Sequence, residues 1–398
     1  MDESTNPEIN KNQRTSTLII LIGYFFVGSI PIMLSPALPS LIRAFDLTLS
    51  LAGTIFVARS AGSFVGVAIG GVLSDKIGRK PVLILGCLLQ GLLMLCAGFS
   101  SDWLLLTLLF ALIGLAGGLI NPVFNAWMAE IHVSRKGAAL NTLHGVYSLG
   151  ALIGPIAAGF LLSSDAGWQA VFWIGGLVWL LYGLSLLWVR IPKVSLRKES
   201  IAADVKEGGA TVSRLFIFLF LVSFLYNGTA TSLVNWINTY LDQVHFPILL
   251  SAGMVSLFYL GLSIGRLTCS LVAEKTGYTR LILICSIFSL LFYPLSIWTT
   301  SPFLIACGVF LSGLFFSGLH PTSLALANQL YPHLSGTVSS MLGIAMTLGA
   351  MIVPWMTGFV ADRAGFRIGF SQNVALLVVL VFVAARLRWI EKRRLKEG

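Results

Sequence analysis

The chain alternates between long apolar stretches and short polar breaks along its whole length. Each stretch holds about 20 residues, the length of helix that crosses the hydrocarbon core of a bilayer. Because lipid offers no hydrogen-bond partner to backbone amides, every such stretch is predicted to be a helix. The pattern therefore predicts an all-α membrane protein. Its twelve predicted transmembrane helices cover residues 15–40, 50–74, 81–100, 103–129, 138–163, 168–190, 214–241, 249–274, 279–298, 302–331, 335–361 and 368–388.

The two halves of the chain repeat each other at an offset of 199 residues, which separates Gly62 from Gly261 and Gly114 from Gly313. The same offset pairs Gly66 with Gly265, Pro122 with Pro321, Gly150 with Gly349 and Pro155 with Pro354. Two copies of one helical block predict two pseudo-symmetric halves with a cleft between them, where membrane transporters bind substrate. We predict an N-terminal six-helix half over 1–190, a hydrophilic cytoplasmic linker over 191–213 and a C-terminal six-helix half over 214–398.

Only 11% of the residues are charged and 56% are hydrophobic, whereas a soluble domain carries about 25% charged residues. Basic residues concentrate in the loops on one side of the predicted bundle, which the positive-inside rule assigns to the cytoplasm. Both termini are therefore predicted to be cytoplasmic, in a multi-pass protein of the cell membrane. The net charge of +10 follows from this topology, so no nucleic-acid partner is predicted. The five cysteines lie in apolar stretches without metal-ligand spacing, so no metal site is predicted.

The loop between the second and third predicted helices reads GGVLSDKIGRKP over residues 70–81. In this loop Gly78 permits a tight turn at the membrane face. The loop resembles the signature loop of the major facilitator superfamily, and residues 271–277 hold a degenerate second copy. With twelve helices and the repeat, the resemblance covers nearly the whole chain. It implies two halves that rock about a central substrate site and open to one side of the membrane at a time.

Shorter segments resemble the fucose/glucose:proton symporter branch of that superfamily, at residues 121–126, 140–144, 149–155 and 318–322. This resemblance implies a sugar-like solute carried together with protons. Members of the branch commonly carry an acidic residue in the first or fourth helix, but the fourth helix here has Asn121 and Asn125. Proton coupling by that route is therefore not expected, and the candidate titrating groups are His320 and Glu130.

Charged side chains around the motif loop predict a latch at the cytoplasmic face. Asp75 lies where it can meet helix-end donors or basic residues of a neighbouring half, and Arg79 can pair with Glu130 at the end of the fourth helix. Glu274 takes the place of Asp75 in the second half. Such pairs would form and break as the cleft opens and shuts. The alternative is a solvated charged loop without a gating role.

Charged or titratable side chains inside a bilayer are costly and need a partner, a cavity or a function. Arg59 lies in the outer third of its helix, where it could snorkel or pair, or instead gate or bind substrate. Arg266 is interpreted as a structural pair between helices. His320 aligns with Asn121, and a proline follows each. It could bind substrate, couple protons or only pack, whereas packing is favoured for His144.

The seventh predicted helix carries an unusual density of amide and aromatic side chains. Asn227 and Asn238 lie three turns apart and share a face. Amides can bind solute hydroxyls and Trp236 can stack on a ligand, but interhelical hydrogen bonding or a place at the membrane interface are the alternatives. The predicted substrate-binding residues are Asn121, Asn125, His144, Tyr147, Asn227, Asn235, Trp236, Asn238 and His320. Secondary candidates are Tyr24, Gln90 and Tyr259.

The sequence holds no G-x-x-x-x-G-K-[ST] nucleotide-binding loop and no catalytic arrangement. It therefore predicts neither an ATP-driven pump nor an enzyme, and no cofactor. The leading hypothesis is a monomeric secondary transporter in membrane lipid that moves a small polar, sugar-like solute with protons. The alternative is an exporter of drugs or anionic metabolites by proton antiport, since the charges deep in the bilayer are cationic. A third hypothesis is a receptor or a lipid scramblase on the same fold, the latter with a lateral apolar opening between the halves.

Overall fold

The computed structural model describes residues 7–164, 166–188 and 214–397, and within these ranges the chain is helical without strands. The N-terminal half contains α1 (Pro7–Ser29), α2 (Leu34–Ala44), α3 (Leu49–Ile77), α4 (Arg79–Gly98), α5 (Trp103–Ile131), α6 (Lys136–Leu162) and α7 (Gln169–Trp188). The C-terminal half contains α8 (Arg214–Gln243), α9 (Ile248–Thr276), α10 (Tyr278–Phe292), α11 (Pro302–Phe316), α12 (Leu319–Leu330), α13 (Ser335–Ala364) and α14 (Phe366–Glu397).

Twelve membrane-length apolar spans in the described ranges confirm the predicted number of crossings. The first span is broken into α1 and α2 by a 3-10 turn over Ile30–Met33, which contains Pro31. Proline has no amide proton to donate, so the helix deforms there. The tenth span is similarly divided into α11 and α12. The predicted linker 191–213 lies outside the described residues.

The same turn chemistry ends α3 and its repeat partner α9. Gly78 follows α3 with a φ of 95°, and Gly277 follows α9 with a φ of 83°. Residues with a Cβ atom rarely adopt this left-handed region, whereas glycine enters it freely. The polypeptide therefore reverses direction at the same point in each half. Both positions of the repeat hold glycine because the turn requires a positive φ.

Repeated glycines also mark the closest approaches between helices. A Cβ atom on Gly62 of α3 would lie 1.8 Å from the carbonyl oxygen of Ala111 in α5. At the matching contact of the other half, a Cβ atom on Gly261 of α9 would lie 2.2 Å from the carbonyl oxygen of Phe310 in α11. Helices in lipid approach this closely only through small residues. The pairs α3–α5 and α9–α11 are therefore tightly packed, and α1–α6 and α8–α13 make similarly close contacts through Gly150 and Gly349.

The halves contact each other mainly through α3 with α13, α6 with α9, and α2 with α8. The end of the bundle at which α2, α8 and α13 finish is named the closed end, because the halves meet there. The opposite end carries Arg79 and Lys136 and is named the basic end. Nearer the basic end, a Cβ atom on Gly145 of α6 or Gly343 of α13 would meet no other atom within 4 Å. The halves are therefore apart on that side, and a cavity lies between them.

Candidate functional site

A cavity of about 310 Å³, named the central cavity, lies between the halves and is lined by both. Its polar lining from the N-terminal half is Tyr24, Asn121, His144 and Tyr147. Its polar lining from the C-terminal half is Tyr226, Asn227, Thr231, Tyr259 and Arg266. Ligand pockets commonly enclose about 300–1,000 Å³, with a few polar groups that fix orientation. The central cavity therefore has the size and lining for one small solute.

A hydrogen-bond network joins α1 and α5 on one wall of the central cavity. The Tyr24 hydroxyl donates to Asn121 Oδ1 at 3.1 Å and accepts from Asn125 Nδ2 at 3.1 Å. Asn125 Nδ2 also lies 2.9 Å from the carbonyl oxygen of Asn121. Asn121 lines the cavity, whereas Asn125 does not and instead holds the other two side chains in place. The amide oxygen of Asn121 is thus already an acceptor for a protein donor.

Arg266 of α9 lines the central cavity. In the part of the chain that the structure describes, the arginine salt bridges are those of Arg43 and Arg79. The structural pair predicted for Arg266 is therefore not found. It lines the cavity together with Tyr147 and Tyr226 instead. Sequence position alone placed this arginine in a helix but did not show that the helix face opens onto a cavity.

A second cavity of about 240 Å³, named the gate cavity, adjoins the central cavity toward the closed end. Tyr147 and Tyr259 line both cavities. Arg59 lines the gate cavity and its Nη1 donates to the carbonyl oxygen of Pro31 at 3.2 Å. Arg59 is therefore turned into the protein and does not snorkel to the membrane interface. The hydrogen bond to Pro31 is consistent with a structural pair, and the place in the gate cavity is consistent with a role in the solute path.

Two of the predicted amides of α8 line the cavities. Asn227 lines the central cavity, and its Nδ2 donates to the carbonyl oxygen of Met346 in α13 at 2.8 Å. Asn235 lines the gate cavity. The Asn227 side-chain oxygen has no donor among the described residues, so it can accept from a solute hydroxyl. These two residues occupy positions that the prediction requires.

The other two predicted residues of α8 lie outside both cavities. Trp236 is fully buried, and its Nε1 donates to the carbonyl oxygen of Pro354 at 2.7 Å. Asn238 is also buried, and its Nδ2 donates to the Ser35 hydroxyl at 2.9 Å. In this conformation Trp236 packs α8 against α13, and Asn238 joins the halves near the closed end. Neither lines the space in which a solute would lie, and Trp236 is buried inside the bundle rather than exposed to lipid.

The two histidines differ in their access to the cavity. His144 is exposed in the central cavity, with its ring centroid 5.6 Å from that of Tyr24. It also lines an opening of about 460 Å³ between α6 and α9, together with Arg266. His320 does not line the central cavity, and its Nδ1 is buried without a hydrogen-bond partner among the described residues. Although His320 and Asn121 align in the repeat, only Asn121 faces the solute space.

Arg79 forms a cluster at the basic end with the residues predicted from the motif. Its Nη2 lies 2.8 Å from Glu130 Oε1, and its Nη1 lies 2.7 Å from Asp75 Oδ1. The pair expected between Arg79 and Glu130 is thus present. All three residues belong to the N-terminal half. Glu274 is exposed and has no salt bridge to a described residue, so it is not part of this cluster.

Contacts between the halves shut the closed end. Arg43 at the end of α2 pairs with Asp242 at the end of α8. Asp362 in the last turn of α13 accepts hydrogen bonds from the backbone amides of Leu49 and Ser50, each at 2.6 Å. Those amides open α3 and have no partner within their own helix. The carboxylate of one half therefore caps a helix of the other.

Sequence reasoning missed Tyr226 and Thr231, which both line the central cavity. Together with Asn227, they follow helical spacing along one face of α8. Extending that face by one turn from Asn227 would have found Thr231. Gln90, a secondary candidate, does not line the central cavity and lies with Arg59 at a cavity of about 20 Å³.

Comparison with known proteins agrees with this architecture. The model of the Major Facilitator Superfamily matches residues 20–292 and 253–398. A glucose/mannose transporter of Bacillus subtilis (strain 168) is 22% identical, covering 92% of this chain and 94% of its own. A 3-(3-hydroxy-phenyl)propionate transporter of Escherichia coli (strain K12) is 28% identical, over 87% and 88%.

Among solved structures, a bacterial homolog of the human lysosomal transporter Spinster has a similar fold. That structure is inward-facing and unoccupied, with a TM-score of 0.80 at 14% identity, covering 96% of this chain and 98% of its own. The match spans both halves, as the family model does. The chain therefore belongs to the Major Facilitator Superfamily and is a multi-pass membrane transporter rather than an enzyme.

Proposed function

We propose that the protein is a secondary transporter that moves a small polar solute across the membrane by alternating access. The observation that carries the proposal is the central cavity, which is lined by both halves and lies between a closed end and a separated basic end. A solute bound there contacts both halves at once. Rocking the halves about it would shut the basic end and open the closed end.

The basic end is proposed to face the cytoplasm. Basic residues at this end include Lys76, Arg79, Lys136 and Lys275, and loops rich in lysine and arginine are retained on the cytoplasmic side. The conformation is then inward-facing. With an even number of spans, both termini lie on that same side.

The proposed solute is sugar-like in size and hydroxyl content. One relative is named as a glucose/mannose transporter, and the cavity presents the hydrogen-bonding groups of Asn121, Asn227 and Thr231. Amide and hydroxyl groups are suited to solute hydroxyls because they both donate and accept. The cavity volume of about 310 Å³ leaves room for a solute of this size.

The proposed driving force is a proton gradient. The branch resemblance favours symport. His320 is the proposed titrating group, and its buried Nδ1 has no hydrogen-bond partner among the described residues. Glu130 is the second candidate, but its pairing with Arg79 places it at the basic end and away from the solute.

The cluster of Arg79, Asp75 and Glu130 is proposed to act as the inner latch. It holds the turn between α3 and α4 to the end of α5. When the basic end closes, this rigid corner would meet the C-terminal half, where exposed Glu274 is the nearest equivalent in the repeat. The latch would therefore act as one preassembled unit.

The opening between α6 and α9 favours lipid scrambling as a second candidate function. Its lining combines the polar His144 and Arg266 with leucines, among them Leu152 and Leu260. An opening of this kind between the halves is the feature that a lipid-translocating protein needs. The lining of this opening is less polar than that of the central cavity, which also includes polar side chains of α1, α5 and α8.

Paired spin labels test alternating access directly. In a cysteine-free background, Lys76→Cys and Lys275→Cys report on the basic end, while Ala44→Cys and Gln243→Cys report on the closed end. All four positions are exposed, and each pair is related by the repeat. Proteoliposomes of this protein should show label distances that change in opposite directions when a transported solute is added.

Transport by the same proteoliposomes completes the test. Labelled solute should accumulate in response to an imposed pH gradient and not in protein-free vesicles. If both label distances stay fixed under every condition and no solute accumulates, the transport proposal fails. Scrambling of a fluorescent phospholipid without solute uptake would favour the second candidate instead.

A further inference from the structure

Two arginines in the membrane-spanning part of the fold line the solute path without a carboxylate partner. Arg266 lines the central cavity and Arg59 lines the gate cavity. Within residues 7–164, 166–188 and 214–397, neither forms a salt bridge. Arg59 donates to the carbonyl oxygen of Pro31 at 3.2 Å, which satisfies one donor but supplies no counter-charge. An uncompensated guanidinium at this depth is costly, so its persistence points to a function.

Three tyrosine hydroxyls line the cavities around Arg266. The hydroxyls of Tyr147, Tyr226 and Tyr259 have no hydrogen-bond acceptor in the part of the chain that the structure describes. The amide oxygen of Asn121 is already engaged by Tyr24. Arg266 and these three hydroxyls therefore offer free donors, beside the free acceptor of the Asn227 side-chain oxygen. An ionised carboxylate, which only accepts hydrogen bonds, can use these free donors and also supplies the charge that Arg266 lacks.

No acidic residue with a described side chain lines either cavity. Asp75 and Glu130 are paired with Arg79 at the basic end, Asp242 is paired with Arg43 at the closed end, and Glu274 is exposed. A neutral solute would leave the charge of Arg266 unbalanced in both the empty and the loaded state. An anionic solute removes that imbalance when it binds.

We propose that the transported solute is a small organic carboxylate whose anionic group binds Arg266. The proposal rests on the transport function above and names the class of solute at the same site. The planar guanidinium can hold a carboxylate through two parallel hydrogen bonds. The hydroxyls and amides of the central cavity then bind the hydroxylated or aromatic remainder of the solute.

The position of Arg59 explains how such an anion reaches the closed end. Arg266 belongs to α9 in the C-terminal half, and Arg59 belongs to α3 in the N-terminal half. Tyr147 and Tyr259 line both cavities, so the two cavities share part of their walls. An anion released by Arg266 toward the gate cavity therefore meets a second cation. The two arginines form successive sites along one path.

Matched acid and neutral pairs test the inference on the full chain purified in detergent. The pairs are D-gluconate with D-glucose, and 3-(3-hydroxyphenyl)propionate with the corresponding propanol, all at equal ionic strength. A ligand that binds the folded state raises the midpoint of thermal unfolding. At least one acid should raise the midpoint while its neutral partner does not. A neutral member that raises it as much as its acid, or no shift with any acid, overturns the inference.

Arg266→Gln removes the charge, and the affinity for the acid should fall at least about 10-fold, the loss expected for one charged hydrogen-bond partner. Arg266→Lys keeps the charge without the forked geometry and should retain part of the affinity, which also guards against misfolding of the first variant. Arg280→Gln is the matched control, because Arg280 is exposed at the basic end of the same half. Equal losses in the control and in Arg266→Gln would contradict the assignment.

Counterflow uptake separates this inference from the transport proposal. If preloaded glucose drives uptake of labelled glucose and gluconate neither exchanges nor competes, the protein is a transporter but the anion inference is wrong. If no solute moves and the label distances stay fixed, the transport proposal fails, and the acid-specific rise in unfolding midpoint still decides whether the arginines form an anion site.

Discussion

At the scale of single residues, the polar side chains in the membrane-spanning helices are of two kinds. Some form hydrogen bonds to neighbouring helices, and others face the solute path. Trp236 donates a hydrogen bond to the Pro354 carbonyl, and Asn238 donates one to the Ser35 hydroxyl. Arg266 keeps its donors in the cavity. The sequence shows that all three are polar and within a span, but the partner of each depends on which neighbouring helix presents an acceptor.

Trp236→Phe should lower stability and leave solute binding unchanged. The substitution removes the indole donor to Pro354, so a buried carbonyl loses its additional partner and a small void remains. The expected loss is about 1–3 kcal/mol of unfolding free energy. The midpoint of thermal unfolding in detergent measures it. Asn227→Ala is the comparison, because it should weaken solute affinity; a larger affinity loss in Trp236→Phe would place the indole in the site after all.

His320→Ala should uncouple solute movement from the proton gradient. His320 lies in α12, and its buried Nδ1 has no hydrogen-bond partner among the described residues. Uptake driven by a pH gradient should be lost while solute exchange at equal pH continues. His245→Ala, at an exposed position of the closed end, is the control. Wild-type rates and pH profile in His320→Ala would show that the coupling group lies elsewhere.

At the scale of helices, the repeat in the sequence records helix contacts rather than solute chemistry. Gly114 of α5 and Gly313 of α11 each face a carbonyl oxygen, with a built Cβ atom 2.0 Å from Arg59 and 2.1 Å from Phe258 respectively. The carbonyl that Gly114 faces belongs to a residue of the gate cavity. The tight α3–α5 contact therefore also fixes the backbone that carries Arg59.

Gly62→Ala should destabilise the N-terminal half. Its methyl group would lie 1.8 Å from the carbonyl oxygen of Ala111, so α3 and α5 must separate. Overpacking of this kind typically costs about 1–3 kcal/mol. Gly71→Ala on the same helix is the matched control, because a Cβ atom there meets no atom within 4 Å. Equal unfolding midpoints for the two variants would contradict the packing argument.

At the scale of the whole molecule, the closed end is held by a few polar contacts that a rocking motion can break. Arg43 with Asp242 and Asp362 with the start of α3 both cross between the halves. The Ser256 hydroxyl also donates to the Leu152 carbonyl at 2.6 Å, between α9 and α6. The balance between conformations is therefore sensitive to these contacts.

Asp362→Ala should shift the population toward the state in which the closed end is open. The carboxylate caps the first amides of α3, Leu49 and Ser50, and loss of a helix cap costs about 1 kcal/mol. A loss of this size changes the ratio of molecules with the closed end open to molecules with it shut by about fivefold. The spin-label pair at Ala44 and Gln243 should report a larger fraction of long distances.

Arg43→Gln is the comparison for Asp362→Ala. It removes an exposed ion pair with Asp242, and exposed pairs contribute about 0–1 kcal/mol. A smaller shift in label distances is therefore expected. Unchanged distances in Asp362→Ala, or a larger change in Arg43→Gln, would show that the helix cap does not hold the closed end.

The sequence by itself determined the number of spans, the helical class and the two-half organisation. The length and apolar content of a stretch determine whether it crosses the membrane. Glycines that recur in both halves, such as Gly62 and Gly261, indicate the same close helix–helix contact in each half. It also identified the Arg79–Glu130 pair, because Arg79 begins one helix and Glu130 lies at the end of the next, on the same side of the bundle. These features depend on local composition and spacing, which are fully present in the chain.

Only the tertiary structure decided which polar residues share one cavity. Arg266 and Tyr226 belong to different helices of one half, while Tyr24 and Tyr147 come from the other half. Their meeting depends on how each helix is rotated about its axis and on how far the halves are separated. Rotation is set by packing against neighbours, so a residue such as Trp236 turns toward α13 although its sequence neighbour Asn235 faces the gate cavity.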